Sequence, residues 1–151
     1  MIRQTQNVSP IVLSPQSNEE FERYFFFRWQ NLRQPLAAPR GTERDTFEDQ
    51  AYHIMVLIDD VIKAVGRIHQ STSESGQIRY MAVDPHWHRQ GFGRLVLTQL
   101  LNYARQNQMK YCWCNARDEA VIFYQRCGFT KRGRVETDLA LPHTRMEYYF
   151  D

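Results

Sequence analysis

Two glycines, Gly91 and Gly93, sit in the run VDPHWHRQGFGRLVLTQLL (83–101) among His88, Arg89 and Arg94, just before an apolar stretch of helical period. Bare backbone at the start of a helix suits one kind of chemistry. The first amides of a helix lack internal partners and carry the positive end of its dipole, so together they hold an anion. Glycine lets that anion reach the main chain without a side chain in the way. The spacing favours a phosphate; the alternative is a tight turn in which the glycines only permit the bend. Two familiar phosphate loops are excluded. A dinucleotide fingerprint requires a third glycine where Val96 stands, and a P-loop requires a Gly-Lys-Ser/Thr ending that is absent.

Other reactive side chains are few. Cys112 and Cys114 lie two apart, on one side of any strand, but no second pair of ligands matches them, so they and Cys127 read as structural thiols and no metal site is expected. The 151 residues carry 19 basic and 17 acidic side chains, a net charge of +2. That balance speaks against bulk binding to nucleic acid or to a membrane surface, so an anion site must be local. No signal-like segment and no run long enough to span a bilayer is present, and a soluble, cytoplasmic protein is expected.

The elements that must position these groups follow from period and punctuation. The length suits a single domain over 1–151, with a core from a 42% hydrophobic and 13% aromatic composition. Ser17 and Glu20 have capping-box spacing ahead of a helix whose Phe21, Phe25, Trp29 and Leu32 share one face. A long polar loop follows Pro35. AYHIMVLIDD and VIKAVGRIHQ form a hairpin about Asp59-Asp60, and QIRYMAV is a third strand. A helix runs from Gly91 to Gln106, KYCWCN is a strand, and DEAVIFYQRCG is a short helix closed by Gly128. Two further strands flank Pro142. The order predicts a mixed α/β (α+β) domain with a largely antiparallel sheet.

On these residues the glycine run resembles the acyl-CoA motif of the GNAT superfamily of N-acetyltransferases, Arg/Gln-x-x-Gly-x-Gly/Ala after a strand. The turn is then His88, Arg89, Gln90, Gly91, Phe92 and Gly93, with His88 where arginine or glutamine is usual. NARDEAVIFYQRCGF (115–129) is similar to the family's downstream block. LPHTRM (141–146) and ERDTFEDQAYHIMV (43–56) resemble its small bacterial ElaA-like branch.

The resemblance implies a GNAT-type fold, a mixed sheet of about six or seven strands with helices on both faces. It implies transfer of an acetyl group from acetyl-CoA to a primary amine of a small molecule or peptide, in one ternary complex. Successive amides of the turn would bind the coenzyme A pyrophosphate, with Arg89 and Arg94 as helpers. Met81, Ala82 and Val83 would serve the pantetheine arm and thioester oxygen. Asn115 would touch the arm or cap a turn. Tyr124 would protonate the departing thiolate; the alternative is an aromatic core residue beside Phe123. The base is less determined: His143 is a candidate, His53 and His69 compete, and Glu43, with Asp45, Glu48 and Asp49, would either attract a cationic acceptor or form a solvated acidic loop. The rivals are a non-catalytic acyl-CoA sensor on the same fold and a small nucleotide-binding domain. The tail EYYF is a candidate edge for homodimer pairing.

Overall fold

The computed structural model describes residues 9–136 and 141–151. The reading of strands around Pro142 therefore includes 137–140, which lie outside the described residues. The chain runs β1 (Ile11–Leu13), α1 (Asn18–Leu32), β2 (Tyr52–Ile58), β3 (Val61–Gln70), β4 (Ser75–Val83), α2 (Phe92–Gln106), β5 (Tyr111–Arg117), α3 (Val121–Arg126), β6 (Thr130–Val135) and β7 (His143–Tyr149). The strands form a seven-stranded sheet in the order β1-β2-β3-β4-β5-β7-β6, antiparallel except where β4 meets β5.

Local chemistry sets most boundaries. The Ser17 hydroxyl accepts from the Glu20 amide at 3.0 Å while the Glu20 carboxylate accepts from the Ser17 amide at 3.2 Å, the reciprocal pair that starts α1. Asp59 and Asp60 both adopt left-handed conformations, which matches the hairpin turn to the twist of its strands. The short strand β1 carries no alternation in its three residues, and it escaped the sequence reading.

Alternate residues of the strands feed two cores. Ile54, Val56, Ile68 and Cys112 pack with Val96, Leu97 and Leu100 of α2 on one face. Met55, Leu57, Val65 and Ala82 pack with Tyr24, Phe25 and Phe27 of α1 on the other. The buried side of α1 is thus centred on Tyr24, Phe25, Phe27 and Arg28, rather than on the Phe21–Phe25–Trp29–Leu32 stripe its period suggested. Arg28 and Arg67 are fully buried on this face, and their partners come from the loop between α1 and β2.

The parallel junction is short. β4 and β5 pair only at Ser75–Tyr111, Gly76–Cys112 and Gln77–Trp113. Past Gln77 the two strands part. The cause lies in β4: the register against β3 shifts between Val65 and Arg67, leaving Tyr80 and Met81 opposite Gly66, and Tyr80 takes φ 59°. Such a bulge bends the strand and increases its local twist, which turns the end of β4 away from β5.

Candidate active site

A cavity of about 1000 Å³ occupies the split. It passes through the sheet, because its walls include Asn31 and Leu32 from α1 on one face and Phe92, Gly93, Phe123 and Tyr124 from α2 and α3 on the other. Met81, Ala82 and Val83 line its middle, where β4 no longer pairs with β5.

The glycine turn forms one mouth. Gly91 is the N-cap of α2 at φ 86°, and no side chain caps the helix. Arg89 is also left-handed, at φ 63°. With no side-chain cap, the first amides of α2 are left open at this mouth, where an anion can be held. The two glycines have different reasons to be glycine. At Gly91 a side chain would meet open space but strain the backbone, whereas at Gly93 a β-carbon would lie 3.2 Å from the ring of Phe123. Arg89, Arg94 and Arg126 line this mouth and are exposed. The His88 imidazole donates from Nε2 to the Val83 carbonyl at 3.0 Å, so its side chain ties the turn to the end of β4.

Tyr124 stands in the cavity wall, 5% exposed, packed edge-on against Phe123 and Phe129. Its hydroxyl is hydrogen-bonded to the Cys114 thiol. Burial first, and the neighbouring Cys114 second, push the phenol well above its ordinary value of 10. Burial likewise pushes the Cys112 and Cys114 thiols up to about 12, so both are inert at neutral pH.

Several expected site residues are elsewhere. Gln90 is exposed and is not part of the cavity wall. Asn115 lies mid-strand, opposite Arg145, and neither lines the cavity nor caps a helix; β5 continues to Arg117 before the next turn begins. Its expected cofactor contact therefore has no support from its position. His143 is buried at the start of β7, takes a hydrogen-bond contact of 2.8 Å with the Leu141 carbonyl, and is not in the wall. Glu43 is 1% exposed, accepting from the Gly41 amide at 2.6 Å and from Arg40, so it belongs to the loop's own scaffold rather than to an acceptor site.

Three of the four carboxylates in this loop, Glu43, Asp45 and Glu48, are turned inward, whereas Asp49 is exposed. Asp45 holds Arg67 through both carboxylate oxygens at 2.6 and 2.9 Å, and Arg79 at 3.0 Å. Glu48 holds Arg28 at 2.9 Å and Arg67 at 3.0 Å. His53 donates from Nε2 to the Glu48 carbonyl at 2.8 Å, leaving Nδ1 to accept from Tyr24 and Arg28. His69 accepts from Arg67 at 3.0 Å and stacks on Phe47. Both histidines are held below their ordinary range by burial and have structural partners.

Sequence reasoning missed Phe123, Arg117, Glu119 and Arg126. Among the described residues Glu119 is the one carboxylate in the wall. The only signal was position: all four lie on or beside the block that carries Tyr124.

A family model described as an acetyltransferase (GNAT) domain matches residues 13–150, and the chain belongs to that family. It is accordingly an acyltransferase that moves an acyl group from coenzyme A to an amine. Solved structures share the fold at low identity. An acyl-CoA N-acyltransferase from Pseudomonas aeruginosa is 18% identical with a TM-score of 0.77, over 93% of this chain and 98% of that one. ElaA of Escherichia coli is 18% identical with a TM-score of 0.74, over the same shares. An aminoglycoside 6'-N-acetyltransferase complexed with coenzyme A is 8% identical with a TM-score of 0.76, over 92% of this chain and 96% of that one. Among the described residues no helix is long and apolar enough to cross a membrane.

Proposed function

We propose that the transferred group is acetyl, and that it passes directly from acetyl-CoA to a primary amine held in the same cavity. The carrying observation is the cavity itself: it runs through the sheet from the uncapped N-terminus of α2, past Tyr124, to the end of α1. One co-substrate enters from each face, and the two meet at the split.

In this reading the pyrophosphate rests on the amides of Gly91, Phe92 and Gly93, with Arg89 and Arg94 beside it. The arm lies along Met81, Ala82 and Val83. The amine nitrogen attacks the thioester carbonyl. An amide at Ala82 or Val83 donates to the developing oxyanion, a contact useful only if it is in place before the reaction. Collapse breaks the C–S bond, and the Tyr124 hydroxyl gives its proton to the thiolate sulfur. A lysine-like amine, with a pKa of ~10.4, is almost wholly protonated at pH 7. In this reading its proton leaves through water or through Glu119, since Glu43, His53, His69 and His143 do not reach the wall and His88 is tied to the turn at the other mouth.

Calorimetry with coenzyme A and with ATP, followed by an acetyl-CoA turnover assay, tests the reading. Heat with coenzyme A and thiol release with an amine are expected. Heat with ATP alone would overturn it. Binding of coenzyme A without turnover of any amine would leave a binding role in its place.

A further inference from the structure

We propose that the acceptor carries a carboxylate as well as its amine, and that Arg117, with Arg33 behind it, receives that carboxylate at the α1 mouth of the cavity. The proposal rests on the acyl-transfer reading above and adds the chemical class of the acceptor.

Two guanidinium groups converge there. Arg33 Nη1 donates to the Leu32 carbonyl at 3.1 Å, and Arg117 Nη2 donates to the same oxygen at 2.9 Å. Sharing one acceptor forces the two cations close together. Among the described residues the other buried or half-buried arginines each have a carboxylate: Arg28 has Glu48, Arg67 has Asp45 and Glu48, and Arg145 has Glu147. Among the described residues neither Arg33 nor Arg117 forms an ion pair. Glu119 is near enough to act on Arg117 through its charge, but lies beyond ion-pair distance.

The bland reading is that both arginines cap the C-terminus of α1, which has no basic residue of its own in its last turn. It explains one hydrogen bond from each. Arg33 spends a second nitrogen on the Thr42 carbonyl at 3.0 Å. Arg117 spends no other: Nε and Nη1 have no partner among the described residues, and the side chain lines the cavity. A guanidinium has five N–H donors in a rigid fork that fits a carboxylate. The Tyr80 ring centroid lies 5.6 Å from the Arg33 guanidinium, which it backs from outside the cavity wall. Burial lowers both guanidinium groups from their usual range; Tyr80 opposes this at Arg33 and Glu119 at Arg117, while the charges of Arg117 and Arg79 lower Arg33 further. An arriving anion would relieve that repulsion. An acceptor of high positive charge, such as a polyamine, would add to it.

The test compares acceptors that differ only in this group. Thiol release from acetyl-CoA is followed with β-alanine, 6-aminohexanoate, L-leucine and glycyl-leucine, with the carboxamide of each, and with spermidine. For at least one span the carboxylate form is expected to exceed its carboxamide in kcat/KM by about ten- to a hundredfold. The free amino acids and the dipeptide tell a small acceptor from a peptide terminus. In Arg117→Gln that ratio falls toward one through the acceptor KM, with the acetyl-CoA KM held, and Arg117→Lys recovers part of it. The ratio in the unaltered protein needs no variant to fold. Carboxamides or spermidine used as well as carboxylates, or a ratio untouched by Arg117→Gln, would overturn this proposal and leave acetyl transfer standing. Coenzyme A binding with no acetylation of any acceptor would overturn both.

Discussion

At the scale of single residues, Tyr124 carries the sharpest expectation. Its pKa is pushed well above 10, chiefly by burial, so it stays protonated across the neutral range, though as a weaker acid than a free phenol. Tyr124→Phe removes that proton and little volume. The expected result is a kcat lower by about a hundredfold with acetyl-CoA affinity within about twofold, read by steady-state kinetics and calorimetry. An unchanged kcat removes the acid role. The residues legible in the sequence were those whose job is local. Gly91, Gly93 and Tyr124 each sit where a short motif puts them. Asn115, Glu43 and His143 were misplaced because their surroundings are set by other strands and by the packing of a loop, which spacing along the chain does not encode.

At the scale of elements, the loop between α1 and β2 departs furthest from its sequence reading. Its carboxylates look like a solvated acidic run. Asp45 and Glu48 fold inward because Arg28, Arg67 and Arg79 are supplied by α1, β3 and β4, and a buried arginine without an anion is costly. Removing one partner from a buried pair of this kind costs about 3–5 kcal/mol. The contacts also fix an acid limit. Burial alone would raise Asp45, but hydrogen bonds from Arg67 and from the Phe47 amide, with the charges of Arg67 and Arg79, bring it from 3.8 down to about 2. A folded pKa below the unfolded one means a contribution fully present above the unfolded value and lost as pH falls from 3.8 toward 2. Asp45→Asn should therefore destabilise the protein at pH 7 and flatten the loss of stability between those pH values, measured by urea unfolding at each pH. An equal slope in both proteins would place the acid sensitivity elsewhere.

At the scale of the whole molecule, the architecture was largely readable. Period-2 and period-3.6 runs located six of the seven strands and all three α-helices, and the order implied a mixed sheet. What no run could show is that the sheet comes apart. The bulge depends on Gly66 facing Tyr80 and Met81 across β3 and β4, a relation between distant residues. Its effect on exchange is measurable. Past Gln77 the amides of β4 that face away from β3, and those of β5 that face away from β7, have no strand to bond. In hydrogen exchange they should be fast in the free protein and slow on adding coenzyme A, while β2 and β3 change little. Equal rates with and without coenzyme A would mean that the arm does not lie in the split.

The same parting gives this sheet two edge strands in its interior. An unpaired edge is a template for any passing strand, and ordinary proteins blunt such edges with charge or cover them with a loop. In the proposed mechanism the cover is the arm of coenzyme A, which leaves each time the protein turns over. A ligand at a hundred times its Kd stabilises a fold by about 2.7 kcal/mol, so on that proposal the resistance of this chain to unfolding and self-association would rise and fall with the supply of the thioester.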